Sequence, residues 1–259
     1  MTGALDGRVA IVTGATRNIG KVIARELAAH GASVVIGGRS IERGTRVEAE
    51  LSVDGRVCRF VPCDLTLERD AETLVQRTVE MFGRVDIVVN NASATDVAIR
   101  DRPVVEQTTE DFDHFLGASL RGAFWMFKYA VPAMGDSGSF VSISSTASMS
   151  SRPGEPAYGA AKGGMNALSR QVAVEYGPRG IRSNTLVLGF IVTNASAPLV
   201  ADARYGDRLR ACVPGTLPTA LDVANAVVFL AGDASRGFNG ATLVLDGGLS
   251  AMSPVPAFE

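Results

Sequence analysis

The chain has 259 residues, 46% hydrophobic and 20% charged, a balance that excludes a disordered chain and allows a substantial core in one globular domain, or at most two. Lysine and arginine number 25 against 27 aspartates and glutamates, a net charge of -2, so no overall field favours nucleic acid or an anionic membrane, and partners belong in a pocket. The three cysteines, Cys58, Cys63 and Cys212, form no CxxC pair, and neither histidine, His30 or His114, has a second ligand at metal spacing; no disulfide framework and no metal site is expected.

In chain order, the β-branched run at 9–12 predicts a first strand, and 19–30 a helix with Ile19, Val22, Ile23 and Leu27 on one face and a stop at Gly31. Further strands are predicted at 34–36, 57–61 and 85–89, with a helix at 67–82 before the last of these. A helix over 111–134 follows, regular throughout, then a strand at 140–143 that runs into a serine-rich stretch, 142–151, read as a strand end turning into a functional loop. A helix at 155–176, a strand at 181–188, a helix at 219–230 and a strand at 242–245 complete the pattern. Seven strands alternating with helices predict an α/β fold, a Rossmann-type doubly wound parallel sheet with helices on both faces, in a single domain spanning 1–259. The polar, proline-containing stretch 194–218 follows the sixth strand and is expected to be the substrate loop, because ligands bind at the carboxyl ends of such strands. Residues 1–6 have neither the basic nor the apolar region of a secretion signal and no apolar run reaches the length of a membrane span, so a cytoplasmic protein is expected.

The corner after the first strand reads Thr13, Gly14, Ala15, Thr16, Arg17, Asn18, Ile19, Gly20. Its glycines permit a tight turn and close approach of backbone to a phosphate, and the helix start that follows offers free N–H groups. Glycines at such a corner are also often purely structural. At the end of the second strand a carboxylate would accept the ribose hydroxyls of NAD(H) and repel a 2′-phosphate. Here the sequence is Ile36, Gly37, Gly38, Arg39, with no acid, and Arg39 together with Arg17 is suited to clamping a phosphate dianion. NADP(H) is therefore favoured, with NAD(H) still open.

Tyr158 and Lys162 are four residues apart on a helix and emerge on one face. A nearby ammonium lowers the pKa of a phenol, ordinarily about 10, toward neutrality, where it can serve as a general acid and base. Alone, this spacing more often marks a surface helix face. Ser145, thirteen residues earlier at the end of a strand, adds a hydroxyl able to bond a substrate oxygen beside the phenol.

Taken with Asp64-Leu65, the run Asn90-Asn91-Ala92-Ser93, the segment from Gly189 to Thr193 and the closing Leu245-Asp246-Gly247-Gly248, these residues make the chain resemble the short-chain dehydrogenase/reductase superfamily over residues 5–248. The resemblance implies hydride transfer between a nicotinamide and a carbonyl carbon while Tyr158 exchanges the proton on oxygen. It also implies that Ser145 orients that oxygen and that Lys162 holds the nicotinamide ribose and lowers the Tyr158 pKa. Asp64 and Leu65 would meet the adenine, Asn91 with Ala92 the adenosine side, and Gly189, Ile191 and Thr193 the nicotinamide side. By the same resemblance the helices at 111–134 and 155–176 pair between subunits, giving a homotetramer or homodimer.

The chain departs from the family pattern at Asn18 in place of a glycine, at Ser93, at Leu188, and at Ser119, where the family has a helix asparagine that completes a proton relay. Asparagine tolerates unusual backbone angles, so phosphate binding should persist. Ser119 either bends the helix and frees a carbonyl for water, or leaves a slowed or rerouted relay. An NADP(H)-dependent carbonyl reductase or secondary alcohol dehydrogenase is expected; a cofactor-binding regulator or scaffold with weak or no turnover is the alternative. The stretches 95–107 and 194–218 mix apolar residues with arginines, which fits an apolar substrate with a polar handle, and the tail at 255–258 either docks on a neighbour or frays.

Overall fold

A computed structural model describes residues 3–93 and 101–252. Seven parallel strands, β1 (Val9–Thr13), β2 (Ser33–Gly38), β3 (Cys58–Pro62), β4 (Ile87–Asn90), β5 (Gly138–Ser145), β6 (Ile181–Leu188) and β7 (Thr242–Leu245), form one sheet in the order β3-β2-β1-β4-β5-β6-β7. The order reverses between β1 and β4, which opens a crevice at the carboxyl ends of the strands. Strands covered on both faces need apolar side chains on both, and this is why Val9 to Val12 of β1 and Ile87 to Val89 of β4 read as unbroken apolar runs.

The two faces carry separate cores. Val12, Ile36, Val89 and Val141 face one layer, built from α1 (Asn18–Ala29), α2 (Ile41–Leu51) and α9 (Ala220–Ala231). Ile11, Val35, Val88 and Phe140 face the other, built from α3 (Glu68–Phe82), α5 (Gly122–Ala133) and α6 (Pro156–Tyr176). The result is the predicted three-layer arrangement.

Three elements differ from the sequence expectation. The first is α2, which was not predicted: only Gly44, Val47 and Leu51 are buried, too sparse a pattern to register, and Gly44 looks like a breaker. That glycine is needed because a Cβ there would lie 2.2 Å from the Phe60 ring. The second is the helix expected over 111–134, which is not regular. It divides into α4 (Thr109–Phe115), a π-helical segment (Leu116–Arg121) and α5, with Ser119 buried at the centre of the π segment and its hydroxyl 3.1 Å from that of Ser93. Such wide turns disturb the usual backbone ladder and concentrate at functional sites.

The third is the stretch 194–218, which is not a plain loop: α7 (Ala197–Ala201) and α8 (Ala203–Ala211) occupy it. The Asp202 side chain caps α8 by accepting the Tyr205 N–H at 2.7 Å, and only Gly206 of α8 is buried, so no apolar periodicity announces it. Val97, Ile99 and Arg100 of the other expected substrate stretch, and the tail at 255–258, lie outside the described residues. Among those residues no helix is long and apolar enough to cross a membrane.

Candidate active site

A cleft of about 440 Å³ lies over the carboxyl ends of the strands, and every site residue predicted from sequence lines it except Ser119. The corner after β1 forms one wall. Gly14 has φ +64, and a Cβ on it would come within 2.9 Å of the Ala92 Cα, so only glycine allows this turn to sit against the end of β4. Asn18 has φ 47, the left-handed conformation that asparagine tolerates. Arg17, at the N-cap of α1, supplies no side-chain acceptor and the first turn holds no acid, so the positive end of the helix dipole is directed at the cleft.

Asn91 has more than the role implied for it. Its carboxamide donates to the carbonyls of Thr13 at 2.9 Å and Gly14 at 3.2 Å, while the Thr13 hydroxyl accepts the Asn91 N–H at 3.0 Å and the Ala92 N–H at 3.1 Å. These bonds tie the corner after β1 to the end of β4 and shape the cradle from behind. Beyond β2 the cleft is lined by Arg17 and Arg39 and also by Arg43, in the first turn of α2. Sequence reasoning missed Arg43 because it missed α2; the spacing of four from Arg39 was the available signal. The Asp64 carboxylate accepts from the Thr66 N–H at 3.0 Å and the Thr66 hydroxyl at 2.9 Å, which fixes the turn after β3.

On the β5 side stand Ser145, Tyr158 and Lys162. Ser145 ends β5, where its hydroxyl accepts the Ala147 N–H at 3.2 Å, and its carbonyl accepts from Ser148, which the Asn166 carboxamide holds at 2.8 Å. Tyr158 is half-buried in the first turns of α6, its ring edge-on to Phe115 at 6.5 Å. Burial raises its phenol above the ordinary value, and a hydrogen bond with Ser145 opposes this. Lys162 is 2% exposed and donates to the Ile143 carbonyl at 2.8 Å, with its nitrogen 5.8 Å from the centre of the Tyr158 ring.

The lysine lies over the ring and against a carbonyl, and of the influences on the phenol, burial raises its pKa and the hydrogen bond with Ser145 lowers it without overcoming burial. Burial in turn holds Lys162 down to about 8 from 10.5. The folded value lies below the unfolded one, so the charged lysine costs stability in full below about pH 8, and the cost fades as pH rises toward 10.5. The stability difference between wild type and Lys162→Met is therefore expected to move in favour of wild type by about 3 kcal/mol over that window. Urea denaturation at the two ends checks it, and a constant difference would count against the buried charge.

Other lining residues carry no sequence signal of their own. The Phe190 ring lies 6.3 Å from that of Tyr205 of α8, tilted to it by 53°, and so joins the stretch after β6 to the cleft. The Ser196 hydroxyl accepts the Thr193 N–H at 2.8 Å and donates to the Ile191 carbonyl at 3.0 Å, holding these two residues in place. Ser144 contributes a buried hydroxyl that finds no partner among the described residues. Ser119 stays outside the cleft, behind Ser93, which does line it. The cleft thus combines an anion cradle, a group of arginines, and a phenol and lysine beside a serine.

Comparison with known proteins bears on the same residues. A family model described as Enoyl-(Acyl carrier protein) reductase matches residues 14–250. The short-chain dehydrogenase/reductase eriH of Hericium erinaceus is 33% identical over 247 residues, covering 93% of this chain and 96% of that one. The 2-(R)-hydroxypropyl-CoM dehydrogenase of Xanthobacter autotrophicus is 35% identical over 252 residues, covering 95% and 99%. A gluconate 5-dehydrogenase from Burkholderia cenocepacia, solved in complex with NADP and tartrate, superposes with a TM-score of 0.87 at 29% identity, covering 96% of this chain and 97% of that one.

Proposed function

The chain belongs to the short-chain dehydrogenase/reductase family, and from that membership we propose an NADP(H)-dependent carbonyl reductase or secondary alcohol dehydrogenase, acting between a ketone or aldehyde and the corresponding alcohol. One observation carries the proposal: a single cleft has Ser145, Tyr158 and Lys162 on its β5 side and Arg17, Arg39 and Arg43 on its β2 side, across the switch point of the sheet. The glycine corner, the uncapped start of α1 and the arginines fit a dinucleotide that carries an extra phosphate.

In this proposal the turn Gly14, Thr16, Asn18, Ile19 and Gly20 holds the pyrophosphate through backbone N–H groups. The three arginines hold the 2′-phosphate, and Asp64, Leu65, Asn91 and Ala92 flank the adenosine. Gly189, Ile191 and Thr193 wall the nicotinamide, and Lys162 bonds its ribose. The nicotinamide, when bound, supplies or accepts the hydride. Ser145 orients the substrate oxygen, to which Tyr158 gives its proton in reduction and from which it takes one in oxidation. Ser119 and Ser93, paired hydroxyl to hydroxyl beside the π segment, are proposed to help return that proton. Residues 194–218, with α7 and α8, serve as the substrate lid. A homotetramer or homodimer in the cytoplasm completes the proposal, supported by the exposed Phe124 and Val174 on α5 and α6.

The test is NADPH consumption by purified protein across ketones, aldehydes, keto sugars and acetoacetyl thioesters, with NADH in parallel. NADPH-preferring turnover is expected. Tight NADPH binding with no turnover on any panel member would favour a regulator that has kept only the cleft.

A further inference from the structure

The helix that carries Tyr158 and Lys162 begins without a local cap. Glu155, at its N-cap, makes no side-chain bond to the first turn, and Pro156 has no N–H. The next two donors, the backbone N–H groups of Ala157 and Tyr158, are taken by a residue more than fifty positions earlier in the chain: one oxygen of the Asp101 carboxylate accepts from Ala157 at 3.2 Å and the other from Tyr158 at 2.9 Å. The carboxylate also meets the positive end of the helix dipole. No family motif identified in the sequence includes Asp101.

We propose that Asp101 is a positioning residue for the reaction, fixing the backbone of Tyr158 so that its phenol stays beside Ser145 in the cleft. Tyr158 is then held at two points, its N–H by Asp101 and its ring by Phe115, with Ser145 lining the same wall of the cleft. Ala157 beside it is fully buried against Phe115, so the first turn of α6 is wedged from one side and pulled from the other. Releasing the carboxylate frees this turn to move the phenol away from the serine, while the arginines and the glycine corner lie across the switch point and are untouched. The proposal rests on Tyr158 being the proton donor.

The test compares Asp101→Ala, Asp101→Asn and Tyr158→Phe with wild type, on whichever carbonyl substrate turns over. Asp101→Ala is expected to lower kcat about tenfold, because small displacements of a reacting group are costly, with the substrate KM and the NADPH dissociation constant within about twofold of wild type. Asparagine keeps one acceptor oxygen but puts an N–H donor in place of the other, so Asp101→Asn is expected to retain one of the two bonds and to fall between wild type and the alanine variant. Unchanged kcat in Asp101→Ala overturns the proposal, as does a loss of kcat matched by an equal loss of NADPH affinity, or an Asp101→Asn enzyme as slow as the alanine variant. Should the alanine variant fail to fold, Asp101→Ser, too short to reach either N–H, carries the same expectation. Full turnover in Tyr158→Phe is a separate failure, that of the proton donor itself.

Discussion

Tyr158→Phe is expected to lower turnover by at least about a hundredfold while leaving NADPH binding nearly intact, the scale set by loss of a positioned general acid and base. The substitution removes one hydroxyl and keeps the ring, so the packing against Phe115 and beneath Lys162 survives. The cleft residues assigned to the pyrophosphate and the extra phosphate are not touched. Because burial holds the phenol above its ordinary value, the group keeps its proton through neutral pH and is loaded for reduction. Ketone reduction is therefore expected to hold from neutral into mildly alkaline solution and to fail as the phenol ionises, while alcohol oxidation, which needs the phenolate, gains as pH rises. Steady-state rates in both directions across pH check this, and a phenylalanine variant with the same profile and rate would remove Tyr158 from its role.

The second large effect is on cofactor choice. Arg39→Asp replaces a cation at the end of β2 with a carboxylate, which repels a phosphate dianion and accepts ribose hydroxyls. NADPH affinity is expected to fall on the order of a hundredfold, and NADH affinity to change little or improve, since losing a charge-assisted bond and gaining a repulsion together amount to roughly 3 kcal/mol. Fluorescence titration with both nucleotides measures the ratio. Equal losses for the two would refute the phosphate clamp; a smaller shift in the ratio would mean that Arg17 and Arg43, which line the same part of the cleft, carry most of the binding.

Much of the fold was legible because the physics that makes it is local. A strand buried on both faces favours apolar side chains on both, and β1 and β4 stand out for that reason, while the apolar residues of β5 and β6 are interspersed with buried polar ones. The amphipathic face of α1 is equally plain, with Ile23 and Leu27 fully buried where the periodicity puts them. By contrast α2 and α8 bury little, so their helical form follows from caps, Ser40 in one and Asp202 in the other, that a periodicity search does not weigh. The break between α4 and α5 has no periodic signature either, since Ser119 reads as an ordinary polar interruption until its hydroxyl is seen against Ser93.

The sequence by itself determined the layered α/β architecture, the glycine corner, and many of the cleft residues between Gly14 and Thr193, because each depends on residue type at short spacing. Only the tertiary structure decided how those residues act together. It turned Lys162 onto the Ile143 carbonyl, bound the Asn91 carboxamide to the corner after β1, and carried Asp101 to the first turn of α6. Each of these depends on which strand lies next to which or on where a distant carboxylate comes to rest, and hydrogen bonds between residues far apart in the chain leave no periodic trace in the sequence.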